Sequence, residues 1–299
     1  MHTCSRGKKN LFCLILLFSI ASCSTPTSSS HSISGYNFDE VDSQIKLPPT
    51  LHEISGITPL DSVNFACVQD ELGIVFLFNS KSGKITGELP FYYEGDYEGI
   101  AKTKNALFIL RSDGVLYETM LRSDSAEVVN IYETAIPASN NEGLCFDEKN
   151  NRLLIACKSK VGKGKEYKDL RFIYAFDLGT RQLSEEPVFQ FDVAELKEFV
   201  IDQGIELETK KKKKSQDFVL KFRPSAIGIH PINGRLFLLT AMDHMLFIFD
   251  ESGKAEYAIK LDSDKFNKSE GIAFFENGDL LITNEGQYKK PSIIRLNYN

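Results

Sequence analysis

A tripeptide turn recurs through the chain, four short apolar strands follow most copies, and the strand missing from the last copy is present ahead of the first. These three observations predict an all-β fold, a five-bladed β-propeller. The turns are Ser55-Gly56-Ile57, Glu98-Gly99-Ile100, Glu142-Gly143-Leu144, Ser225-Ala226-Ile227 and Glu270-Gly271-Ile272, and their first residues are spaced by 43, 44, 83 and 45 positions. A period of that length is the signature of four-stranded blades, and helical repeats or sandwiches do not produce it.

The chain begins with Arg6, Lys8 and Lys9, an apolar run over 11–20 and then small residues, the layout of a secretory signal peptide too short to span a bilayer. Ile20-Ala21-Ser22-Cys23 is similar to the bacterial lipobox, in which the cysteine is diacylated and becomes the new amino terminus. Cys23 is therefore the expected lipidation site, with residues 1–22 as the signal peptide and a membrane anchor carried by the acyl chains. Residues 23–35 are mainly Ser, Thr, Pro and His and read as a flexible tether, with the propeller over 36–299. No acidic residue directly follows Cys23, which points to the outer membrane, facing the periplasm, with surface display as the alternative.

Removing residues 1–22 takes away three bases and no acids, leaving 32 Lys+Arg against 41 Asp+Glu, a net charge near −9. That balance disfavours nucleic acid as a partner. Cys67, Cys145 and Cys157 each lie inside an apolar run and are expected as buried free thiols of a monomer.

Second strands are expected over 64–70, 106–112, 152–159, 235–243 and 279–285, where apolar runs follow turn chemistry such as Asn233-Gly234 and Asn277-Gly278. Third strands fall over 73–79, 114–120, 171–177, 245–250 and 292–297, and fourth strands over 85–91, 127–133, 187–193 and 256–262. The last unit lacks a fourth strand. Residues 43–48 precede the Ser55 turn much as 258–261 precede the Glu270 turn, so they are expected to complete that last blade and hide its edge. The 83-residue interval reads as an insertion: Val193, Leu196, Phe199 and Val200 have helical spacing and lead into the run Lys210 to Lys214. A sixth blade is the alternative, and the lysine run reads as a solvated loop or as a contact for anionic lipid headgroups.

Glu53-Ile54-Ser55-Gly56-Ile57, Asp70-Glu71, Asp96-Tyr97-Glu98-Gly99-Ile100-Ala101, Asn141-Glu142-Gly143-Leu144, the segment 225–231, Ser269-Glu270-Gly271-Ile272-Ala273 and Asn284-Glu285 occur in that order. In this the chain resembles the SdiA-regulated, YjiK-like family of bacterial envelope proteins, distantly similar to NHL-repeat propellers. The resemblance runs from Leu47 to the carboxyl end and implies a five-bladed propeller with a bound calcium ion, without implying a particular activity. Ala226 departs from the pattern by replacing a glycine.

In such a blade the first strand starts and the second strand ends on one face of the disc. Glu98, Glu142 and Glu270 would thus meet Asp70, Asp243 and Glu285 as a ring of six carboxylates at one channel mouth. Crowded carboxylates either protonate or are held ionised by a cation, and calcium, with six to eight oxygen ligands, suits them better than zinc. Histidine is scarce: His52, His230 and His244 are the only ones beyond the tether. The competing reading is that the glutamates pair with Arg or Lys or cap their turns.

Two functional classes follow. One is a calcium-stabilised, membrane-tethered binding or scaffold module whose rim meets a protein or glycan. The other is a calcium-dependent hydrolase of lactonase or phosphoesterase type at the same mouth, for which His244 is the one candidate base. The chain has no Gly-x-Ser-x-Gly elbow, no phosphate loop ending in Lys-Ser/Thr and no His-Glu-x-x-His. Tyr92, Tyr93 and Tyr97 are candidates for a sugar-stacking platform or for packing.

Overall fold

The computed structural model describes residues 1–2, 33–212 and 215–299. Five antiparallel sheets surround one axis, and the first strands of successive blades pack against one another in the cyclic order 1-2-3-4-5-1. Blade 1 comprises Ile54–Pro59, Asn64–Gln69, Ile74–Asn79 and Lys84–Pro90, and blade 2 comprises Tyr97–Lys102, Leu107–Arg111, Val115–Leu121 and Ala126–Glu133. Blade 3 has Asn141–Asp147, Arg152–Cys157 and Leu170–Asp177, edged by the short strands Gln182–Leu183 and Phe189–Asp192. Ala226–Ile229, Leu236–Thr240, Met245–Phe249 and Ala255–Lys260 form blade 4. In blade 5, Ser269–Phe274, Leu280–Asn284 and Ser292–Leu296 are completed by Ser43–Lys46 from the front of the chain, in the register Ser43 to Arg295 and Lys46 to Ser292.

The apolar side chains sort into five clusters, one between each pair of adjacent blades. This follows from period-2 alternation: one sheet face points to the preceding blade and the other to the next, so both faces are apolar and the strands read as continuous apolar runs. Phe65, Phe76 and Phe78 fill the seam of blades 5 and 1, while Phe222, Phe247 and Phe249 fill that of blades 3 and 4. Truncating one such ring to alanine costs about 3–5 kcal/mol. Cys67, Cys145 and Cys157 are buried and free within these seams.

The long interval holds no sixth blade. Helix α1 (Val193–Asp202) starts where the Asp192 carboxylate accepts from the Ala194 and Glu195 amides, and it buries Val193, Leu196 and Val200 against blades 3 and 4. The lysine run differs from the expected loop. Glu208–Lys212 and Ser215–Val219 pair as a two-stranded antiparallel sheet, in which Thr209, Phe218 and Val219 are the strand formers. Cys23 lies outside the described residues.

Candidate functional site

In four of the five turns the ladder slips by one residue, at Ser55, Glu98, Glu142 and Ser269/Gly271 around Glu270, so that each of these residues is a β-bulge between the first and second strands. A bulge re-aims the extra residue, and here it delivers the side chains to the channel axis. The following glycine is required by the neighbouring blade. A Cβ on Gly99 would lie 2.7 Å from the Leu144 Cβ, and one on Gly56 would lie 2.8 Å from the Ile100 amide nitrogen. Blade 4 carries Ala226 there, its strand begins at Ala226, and its ladder has no such slip.

The two serine copies do different work from the glutamates. Ser55 Oγ donates to the Tyr97 carbonyl at 2.6 Å and Ser225 Oγ to the Ser269 carbonyl at 2.8 Å, each stapling its blade to the next. The narrow space at this mouth is lined by Ser55, Glu98, Glu142 and Glu270, with Ala226 from blade 4. Glu142 and Glu270 are buried and Glu98 is half-buried.

Two lysines absent from the sequence-based ring enter it. Lys158 Nζ contacts Glu142 Oε1, while Lys268 Nζ lies 2.6 Å from Glu285 Oε2 and 3.4 Å from Glu270 Oε1. The expected alternative, pairing with lysine, thus holds for Glu142, Glu270 and Glu285. Lys158 was detectable: it follows Cys157, the partner of Asn141, just as Asp70 follows Gln69, the partner of Ile54, and Glu285 follows Asn284, the partner of Ser269.

Asp243 departs from the expected ring. Register places Ala241 where blade 1 has Asp70, and Asp243 lies two residues further on, in the 3-10 turn Ala241–Asp243. Its carboxylate accepts from the Lys221 and Phe222 amides, both at 2.9 Å, holding Phe222 at a φ of 40°. His244 has a φ of 48°, and its Nδ1 meets the Phe266 carbonyl at 3.2 Å rather than a ring carboxylate. Tyr97 is fully buried with its hydroxyl on the Tyr93 carbonyl, which leaves Tyr92 and Tyr93 as the exposed pair.

Burial raises Glu98 to about 9, reinforced by Glu142, Asp96 and Glu270 and moderated by Lys158. It raises Glu270 to about 8, with Glu142 adding to the effect and Lys158 and Lys268 opposing it. Glu142 also moves up, burial outweighing Lys158. Asp70 reaches about 7 through burial, then Glu53, Glu285, Glu71 and Asp96. Burial works against the Lys158 ammonium, yet Glu270 and Glu142 overcome it and hold the amine above its ordinary value. If all were ionised, Glu98, Glu142, Glu270 and Glu285 would set four negative charges against two positive. Glu142 Oε2 is buried without a hydrogen-bond partner, as is Asp70 Oδ1. The space enclosed by the five turns is about 10 Å³. Among the described residues, no three or more His, Cys, Asp or Glu side chains are gathered as a metal cage.

No protein-family model matches the chain and no curated protein matches it, so the YjiK-like resemblance rests on the quoted residues alone. Solved structures do match. Glutaminyl cyclase of Myxococcus xanthus is 12% identical, with a TM-score of 0.56 over 87% of this chain and 96% of that one. The PQQ-bound aldose sugar dehydrogenase of Streptomyces coelicolor is 12% identical, with a TM-score of 0.54 over 87% of this chain and 98% of that one. The chain is a β-propeller. At this identity the likeness extends to the fold alone.

Proposed function

We propose that the protein is a lipid-anchored propeller of a bacterial envelope that acts as a binding module, its axial carboxylate cluster taking up calcium. One observation carries the reading: Glu142, Glu270 and Glu285 share the two ammonium groups of Lys158 and Lys268, while Glu98 and Asp70 beside them make no salt bridge among the described residues, so carboxylates outnumber cations at one mouth, an excess that a divalent ion or protons would balance. The donors are oxygens, as calcium prefers, and Glu142 Oε2 is a buried acceptor without a partner. Glu98, Glu142, Glu270 and Glu285 would hold the ion, with Asp70 beside them. Calcium would supply charge neutralisation and tie blades 2, 3 and 5 together. Because the carboxylates are spread over Lys158 and Lys268 rather than gathered, uptake entails re-aiming them.

The small enclosed space favours a binding module over a hydrolase. A volume of about 10 Å³ holds one water-sized object, whereas hydrolysis needs an accessible substrate beside a base, and His244 is engaged with Phe266. Rim loops bearing Tyr92, Tyr93 and Tyr288 are the surfaces offered to a protein or glycan. Added calcium is expected to raise the melting temperature, and Glu98→Gln with Glu270→Gln to abolish the shift. Identical melting curves in calcium and in chelator would remove the metal. Palmitate labelling lost in Cys23→Ala tests the anchor, and labelling that persists would remove it.

A further inference from the structure

The other end of the axis is built differently. There the ring opens into a cavity of about 560 Å³, within the range of sites that bind small molecules. Ile57, Ile100, Leu144 and Ile272 line both this cavity and the narrow space among the carboxylates, so a single layer of aliphatic side chains separates the two.

Strand alternation returns to the axis two residues beyond that layer, at Pro59, Lys102, Phe146, Ile229 and Phe274, one from each blade. All five line the cavity and none is buried, although their strand neighbours Thr58, Ala101, Cys145, Gly228 and Ala273 are. Four are half-buried apolar side chains, of which Phe146, Ile229 and Phe274 also pack on the seams behind them, and the fifth is the exposed cation Lys102. A concavity lined by apolar side chains with one placed charge is the pattern of a small-molecule site.

The charges at the rim show which ligand charge would be accepted. Asp147 is taken by Arg152 and Asn150, each at 2.8 Å, Glu148 by Lys104 at 3.0 Å and Glu251 by Lys149 at 2.6 Å. Asp250 is spent on its own turn, accepting from Ser252 and Lys254. Lys102 makes no salt bridge among the described residues. Its Nζ rests on the Leu60 carbonyl at 3.0 Å, and nearby Asp61 is engaged by the Val63 and Asn64 amides and the Asn64 side chain.

We propose that this cavity is a second site, independent of the carboxylate mouth, that binds an amphipathic monocarboxylate: an alkyl or aryl chain against Phe146, Ile229, Phe274 and Pro59, with its carboxylate on Lys102. Calorimetric titration of the full chain with octanoate, octanol and octylamine reads both features. Octanoate is expected to bind about tenfold more tightly than octanol, the effect of one charge-assisted contact, and octylamine not to bind. Lys102→Met should erase the preference while keeping octanol binding, and Phe274→Ala should weaken octanoate and octanol together. Glu98→Gln, at the opposite mouth, should change neither, so failure of this site and failure of calcium binding are distinguishable. Absence of octanoate binding at millimolar concentration, equal affinity for octanoate and octanol, or octanoate binding indifferent to Lys102→Met would each overturn the proposal.

Discussion

The two mouths of the ring are made from the same five strands yet follow opposite rules. At one, bulged residues converge with their glycines until a volume near 10 Å³ remains, and charge is concentrated there. At the other, four residues further along each strand, the walls stand apart around about 560 Å³ and charge is confined to paired residues on the rim and to Lys102. A propeller can therefore invest its repeat in closing one end of the axis and leave the other free to vary, because first-strand positions at the two ends are decoupled by the aliphatic layer between them.

The comparison makes the closed mouth sensitive to shape and the open mouth tolerant. Gly99→Ala should destabilise by about 1–3 kcal/mol in chemical denaturation, since the new Cβ meets Leu144 at 2.7 Å with backbone on both sides. A loss below that range would mean the blades can part, and the contrast between the mouths would weaken.

The next effect is electrostatic. Glu98 and Glu270 titrate near 9 and 8 in the fold against an ordinary value of 4.5, so between those limits the folded chain binds more protons than the unfolded one. Stability from these groups is full below about pH 4.5 and drains as pH rises toward 8 to 9. In chelator, the melting temperature should fall over that interval, and Glu98→Gln with Glu270→Gln should flatten the fall; a slope unchanged in the double variant would locate the titration elsewhere.

Ser225→Ala, which removes the 2.8 Å staple to Ser269, should cost about 1 kcal/mol. The smallest change is expected at the open rim, where Lys149→Ala breaks an exposed pair with Glu251 between blades 3 and 4. It should shift stability by no more than about 0.5 kcal/mol, and a larger loss would show that the open mouth is under tension as well.

The blade count, the strand order and the closing strand were legible because they depend on periodic apolar runs and turn residues that every copy repeats. Glu98, Glu142 and Glu270 were legible for the same reason. Asp243 was misplaced because the apolar run of blade 4 leaves its strand at Thr240, and the 3-10 turn Ala241–Asp243 that follows puts Ala241 at the ring position and Asp243 beyond it. Lys158 and Lys268 were overlooked because opposite charges at equivalent positions are invisible to a search for like residues. The open cavity left no motif: Pro59, Lys102, Phe146, Ile229 and Phe274 share only a place in the register, and nothing in their identities announces a common axis.

The seam at Ser43–Lys46 has a consequence for how the molecule comes into being. Because the earliest strand of the disc is zipped to the latest, no circle exists until synthesis has delivered residue 296. A product that stops short leaves an open horseshoe with two raw edges, ready to pair with another such fragment. The finished ring has its two ends side by side, so stitching them together and cutting the chain between other blades should yield the same disc from a rearranged gene.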